Sequence, residues 1–344
     1  MFVQSTNYSD EAFLRDRIWD EPSLIPIAEI GLSNEATVIP LKETSLPGAG
    51  SSDVILIDSS GNIVIVECKL ATNPEKKRTV IGQVLDYASS LATLSYDDID
   101  TRVAREHHKP LHELMEERVP AEKWDEDQFR NDLSGTLASG SFKLVIAIDK
   151  MDPDLARILH YVSSQGELRI FGLELRYHKQ DDVEVIIPHI ANPIEIGAAR
   201  SATSGQRWDA DSYRAELGKI GDERVRAAAS ELLRFGQDKA ESMSWGRSGV
   251  YGSFGYRVLA ASKRISLFTS YTTEELYINL ESLRGKASPE SFDDFVARLA
   301  ALKGFHGIEA HQKYPGFKFQ DTLANESTMA GFQEAVLALQ ASLQ

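Results

Sequence analysis

Apolar and polar positions along the first 195 residues alternate between two periods, and the changes of period mark the elements. Ser9-Asp-Glu-Ala-Phe-Leu-Arg-Asp-Arg-Ile predicts a capped amphipathic helix, with Ser9 as N-cap and Phe13, Leu14 and Ile18 as its apolar stripe. Pro22 and Pro26 end it. After the small-residue loop Pro47-Gly-Ala-Gly-Ser-Ser, two β-branched runs, Asp53-Val-Ile-Leu-Ile-Asp and Ile63-Val-Ile-Val-Glu-Cys-Lys-Leu, flank Ser59-Ser-Gly-Asn and predict a hairpin. Val80, Ile81, Val84, Leu85, Ala88 and Leu91 then recur at spacings of three and four, predicting a helix over 78–94. An acidic helical region follows over about 97–133. Phe142-Lys-Leu-Val-Ile-Ala-Ile-Asp predicts a buried strand, 153–162 a helix, and 168–177 and 183–190 two more strands.

This order predicts an α/β domain over 1–195, a mixed sheet flanked by helices. The Gly, Ala, Ser and Thr run within 196–208 reads as a linker. Residues 209–344 read as an α+β domain: helices over about 210–219 and 223–243, three short strand-like runs up to Leu280, and helices near 289–302 and 329–343. A length of 344 residues accommodates two such cores. One cysteine, Cys68, excludes an internal disulfide framework and a multi-cysteine zinc site. The N-terminus has no basic start followed by an apolar block, and no window nears the roughly 18 apolar residues of a membrane span. The expectation is a cytoplasmic protein without a membrane partner.

The net charge of −15 argues at first against nucleic acid, but its distribution is uneven. Residues 1–195 carry 19 Lys+Arg against 34 Asp+Glu, whereas 196–344 carry 18 of each, so the excess of acid lies wholly in the first part. A carboxylate-rich, cation-binding domain joined to a neutral one fits this split, as does a well-solvated acidic surface.

Chemistry enters with the second strand of the hairpin. Side chains alternate along a strand, so Ile65, Glu67 and Lys69 share one face while Val66 and Cys68 share the other. An acid and a base on an otherwise Ile/Val strand are costly to bury unless they pair or bind something. Asp53 begins the partner strand, where the hairpin can bring it to Glu67, and a hard divalent cation such as Mg²⁺ holds two such carboxylates ionised. That cation can activate water and polarise a phosphate, and the Lys69 ammonium can position the water and stabilise developing charge. Gln83 and Tyr87, four apart, share a helix face that could reach the same site. The alternatives are an edge ion pair for Glu67 and Lys69, and a solvent-facing Gln83 beside a half-buried Tyr87.

Asp53, thirteen residues, Glu67-Cys68-Lys69 and then Gln83-Val-Leu-Asp-Tyr87 together resemble the PD-(D/E)XK nuclease superfamily, in its RecB-like branch with a Q-x-x-x-Y motif. The resemblance spans about residues 8–195 and departs at Ser51-Ser52-Asp53, which stands where the family carries Pro-Asp. It implies a restriction-endonuclease-like fold and a Mg²⁺- or Mn²⁺-dependent deoxyribonuclease acting in repair, recombination or defence. Asp53, Glu67 and the main-chain carbonyl of Cys68 would ligate the metal, with Glu11 on the first helix as a further acid, ahead of Asp16. Lys69 would assist the nucleophilic water. The Cys68 side chain reads as core packing. Cleavage of duplex DNA by one site per chain favours a homodimer. The other reading is a nuclease-fold protein that binds nucleic acid or a protein partner without cutting.

His107, His108 and His112 lack a defined ligand spacing and read as part of a solvated helix. From Ser242 to Thr273 there is no acidic residue, and Arg247, Arg257, Lys263 and Arg264 interleave with Trp245, Tyr251, Phe254, Tyr256, Phe268 and Tyr271. This stretch reads either as a nucleic-acid-docking surface or as an antiparallel sheet with its aromatics in the core.

Overall fold

A computed structural model of the chain describes residues 4–72, 76–121, 123–165, 169–192, 207–247, 251–260 and 263–343. The chain divides into two compact units, Met1–Ala202 and Thr203–Gln344. All but the last two residues of the expected linker 196–208 lie outside the described residues.

The first unit runs β1 (Gln4–Ser5), α1 (Glu11–Asp20), β2 (Val38–Leu46), β3 (Gly50–Asp58), β4 (Ile63–Lys69), α2 (Lys76–Leu91), α3 (Tyr96–His107), α4 (Leu111–Arg118), α5 (Glu126–Ser139), β5 (Lys143–Ile148), α6 (Pro153–Gln165), β6 (Arg169–Gln180) and β7 (Val183–Ile190). Its sheet has the order β1-β6-β5-β4-β3-β2, with β7 also on β6. Strands β2, β3 and β4 are antiparallel, while β4, β5 and β6 are parallel. This is the mixed, helix-flanked α/β sheet that the element order predicts. Central strands covered on both faces need apolar residues at every position, which is why β3, β4 and β5 read as continuous Ile/Val runs. One face (Ile55, Ile57, Ile63, Ile65, Ile146) packs on Val80, Val84 and Leu91 of α2 and Leu155 and Leu159 of α6. The other (Val54, Leu56, Val64, Val66, Cys68) packs on Leu14 and Ile18 of α1.

Three expectations change. The N-cap of α1 is Asp10, whose carboxylate accepts from Phe13 N at 2.7 Å; Ser9 lies one residue too early. The acidic region breaks into α3, α4 and α5, because His108 takes a left-handed φ of 58° and Pro110 and Pro120 follow. Strand β2 escapes prediction because Pro40 and a left-handed Glu43 (φ 47°) interrupt its alternation. Pro40 is tolerated because β2 is an edge strand.

The β3–β4 turn sets the register on which the site depends. Asp58 accepts from Ser60 N at 2.8 Å and Asn62 N at 2.9 Å. Gly61 has φ 76°, and a Cβ there would stand 2.5 Å from Leu133 N, so glycine alone fits. The ladder runs Ile57↔Ile63, Leu56↔Val64, Ile55↔Ile65 and Val54↔Val66, so Asp53 and Glu67 are the residues next beyond its last pair.

The second unit comprises α7 (Ala210–Leu217), α8 (Glu223–Lys239), β8 (Ser242–Trp245), β9 (Ser253–Ala260), β10 (Lys263–Tyr271), β11 (Glu275–Ile278), α9 (Leu280–Leu283), α10 (Pro289–Ala300), β12 (Gly316–Lys318) and α11 (Glu326–Leu343). Its sheet, in the order β12-β11-β10-β9-β8, is antiparallel throughout. Phe254, Tyr256 and Phe268 are buried in a core with Phe332 of α11 and Leu232 of α8. Those aromatics of the acid-free stretch therefore pack inward and do not form a stacking platform.

Candidate active site

The splay of β3 from β4 builds the centre of the site. Past Val54↔Val66 the ladder ends, and the Cys68 N–H donates to the Asp53 carboxylate, 2.7 Å to Oδ2, in place of a main-chain acceptor. In an extended strand the N–H and C=O of one residue point to the same side, so the Cys68 carbonyl also faces β3. Glu67 lies on the α2 side of the sheet, in line with Ile63 and Ile65, and is only 2% exposed. Its Oε1 lies 2.6 Å from Lys69 Nζ, while its Oε2 is buried beside Asp53 and Tyr87 without a hydrogen bond of good geometry.

Burial, and next the negative charge of Asp53, push the Glu67 carboxyl from its ordinary 4.5 up to about 7. Burial also raises Asp53, against the Cys68 N–H and the Lys69 charge. The two acids stand together in a dry place, and both carboxyls are held above their ordinary range. For Lys69, burial acts downward but is outweighed by Glu67, Glu11 and Asp53, so its ammonium is held above its usual pKa. Tyr87 is buried against the same centre, and burial with the charges of Glu67 and Asp53 pushes its hydroxyl up to about 12. One helical turn earlier, Gln83 has its Oε1 buried and without a partner. The Cys68 thiol sits in the opposite core, raised by burial and thus protonated.

The Glu11 carboxylate accepts from Leu70 N at 3.2 Å and lies 3.7 Å from Lys69 Nζ, at the end of β4. Among the described residues, no three His, Cys, Asp or Glu side chains form a metal-holding group. Asp16 is drawn off by Arg15 at 3.0 Å and Lys42 at 3.4 Å. Two neighbours went unanticipated. Arg15 acts electrostatically on Asp53, and Asp149, just past β5, accepts from Ala71 N at 2.7 Å. The signal for Asp149 was its position at the C-terminal end of a parallel strand, where open α/β sheets gather functional groups.

Away from this centre, His107 is half-buried and its Nε2 lies 2.7 Å from Pro40 O, so it belongs to the packing of α3 on β2 and is not a solvated residue. His108 is exposed. In the second unit Arg257 is buried, which speaks against its place on a docking surface. Arg247 and Arg264 are exposed, and the Lys263 side chain lies outside the described residues. Among the described residues no helix is long and apolar enough to cross a membrane. Comparison with protein-family models, curated proteins and solved structures finds no match to this chain.

Proposed function

We propose that the chain is a divalent-cation-dependent nuclease acting on DNA, with Asp53, Glu67 and Lys69 at its centre and a restriction-endonuclease-like first domain. The observation that carries this reading is the Glu67 carboxylate: buried, raised in pKa by an adjacent acid, and left beside a charged lysine with one oxygen lacking a hydrogen bond of good geometry. A buried oxygen of this kind calls for an explanation, and a bound cation with its water supplies one. The donor set suits a hard cation. Mg²⁺ commonly takes one or two carboxylates and completes its shell with water, so the missing third acid is no obstacle. Asp53, Glu67 and the Cys68 carbonyl would hold Mg²⁺ or Mn²⁺, which supplies Lewis acidity and an activated water.

Lys69 is a charge stabiliser and hydrogen-bond donor to water or phosphate in this reading, not a base, because its neighbours keep it protonated. Tyr87 likewise keeps its proton and donates. Glu11 and Glu67 together position Lys69. Incubation of the purified protein with plasmid and linear DNA should give cleavage in Mg²⁺ or Mn²⁺ that excess chelator stops. Intact DNA on every substrate would favour the second reading, a nuclease-fold protein that binds without cutting; the engagement of Glu11 with Leu70 N and Lys69 is the observation in its favour.

A further inference from the structure

A cavity of about 480 Å³ lies between the outer edge of β2 and α3, lined among others by Lys42, Thr44, Ser45, Thr101, Arg102 and Arg105. An edge strand leaves main-chain groups unpaired, and α3 covers them here. The His107 ring meets Pro40 O at 2.7 Å, Glu106 accepts from Lys42 N at 3.1 Å, and Arg102 Nε approaches Ser45 O at 3.5 Å. The lining charges partly cancel: Glu43 pairs with Arg15 at 2.7 Å and Lys42 with Asp16 at 3.4 Å, while Glu106, whose donors Trp19 Nε1 at 2.8 Å and the Lys42 main-chain N–H are neutral, keeps its charge.

Two cations remain. Arg105 is exposed and makes no hydrogen bond or ion pair among the described residues. Arg102 donates to main-chain carbonyls, including Asp98 O at 2.8 Å, and the charge of the Asp98 carboxylate acts on it without an ion pair. Three positions apart on α3, the two share a face, next to the Thr101 and Ser45 hydroxyls. Guanidinium and hydroxyl groups together are the chemistry that holds phosphate oxygens. The register carries the cleft to the site: Lys42 pairs with Val54 and Thr44 with Ser52, so Glu43 stands one strand, about 4.8 Å, from Asp53.

We infer that this cleft holds the phosphodiester backbone of a nucleic-acid strand beside the scissile position, with Arg105 and Arg102 as its phosphate contacts. The inference rests on the nuclease reading and assigns to the acidic first unit the positive groups its substrate needs. Binding of a labelled single-stranded oligonucleotide is measured on the full chain in excess chelator across a salt titration, for the parent and for Arg105→Ala, Arg105→Glu and Arg102→Lys. The lysine variant keeps the charge where alanine would uncap Ser45 and Asp98. Arg105→Ala should weaken binding about 3- to 10-fold and lower the salt slope by about 0.7, one counterion on a single strand. Arg105→Glu should weaken it further, with an unchanged thermal transition. Unlabelled oligonucleotide should compete, and inorganic phosphate at equal phosphate concentration should not; equal competition would make this a free-phosphate site and overturn the strand assignment. Binding by Arg105→Glu within two-fold of the parent at an unchanged slope would also overturn it. If Mg²⁺-dependent cleavage persists in that variant and vanishes in Asp53→Ala, only the cleft assignment fails. Arg105-dependent binding without metal-dependent cleavage would sink the nuclease reading instead.

Discussion

Buried polar groups in the core of the second unit and at the site of the first differ in how fully they are paired. In the second unit the Tyr213 hydroxyl lies 2.8 Å from Ser270 Oγ, and Asn279 Nδ2 lies 3.2 Å from Thr269 Oγ1, all of them buried and paired. In the first unit Glu67 is buried just as deeply, beside a second acid that repels it and with one oxygen lacking a hydrogen bond of good geometry. Paired polar groups lock a sheet at little net gain or loss, whereas an unpaired one costs its full desolvation. Burial of polar atoms therefore separates a structural network from a binding site only when satisfaction is counted as well.

The widest test of this contrast is on activity. Asp53→Ala or Glu67→Ala should cut metal-dependent cleavage by roughly 10³-fold or more, while Ser270→Ala leaves the turnover of folded protein unchanged. Parent-like cleavage by Asp53→Ala, freed of contaminating nuclease, would remove the site from the hairpin. Lys69→Met should lose about 10²-fold to 10³-fold yet still bind Mn²⁺, measured by calorimetry. Loss of metal binding as well would make Lys69 a scaffold for Glu67.

A pH series probes the strain directly. Because the folded-state pKa of Glu67 is raised from 4.5 to about 7, its contribution runs against folding once it ionises. Without metal, stability should fall as pH rises from about 4.5 to about 7 and level off above, by up to roughly 3 kcal/mol. Glu67→Gln lacks this titration, so the urea-unfolding free energy of the parent should drop relative to that variant between pH 5 and pH 8, whatever constant offset the lost Lys69 ion pair adds. A parallel pH course for both proteins would refute the strained pair. The smallest effect belongs to the second unit: Tyr213→Phe should cost about 1–2 kcal/mol at every pH, seen as a lower urea midpoint with an unchanged m-value.

Much of the first unit was legible because local rules sufficed. Strands β3 to β7 and helices α2 and α6 appear in the pattern at nearly their observed limits, since β-branched runs and three-four spacing survive any packing. In the second unit, alternation over 242–273 left two readings open; burial of Phe254, Tyr256 and Arg257 decided for a sheet with its aromatics inside. Strand β2 went unread because its backbone is stabilised from outside, by Glu106, 64 residues from the Lys42 N–H it accepts.

The site divides the same way. A period of two puts Glu67 and Lys69 on one face, and the Asp58–Asn62 turn brings Asp53 near Glu67; both are local geometry, so sequence alone determined that an acid pair and a lysine meet. Only the tertiary structure decided that the Cys68 N–H goes to Asp53, that Glu11 grips Leu70 and Lys69, and that Arg105 is left without a partner at the mouth of a cleft. Those outcomes depend on which groups from distant segments reach each donor and acceptor first, a competition settled by packing and not by the residues' own preferences.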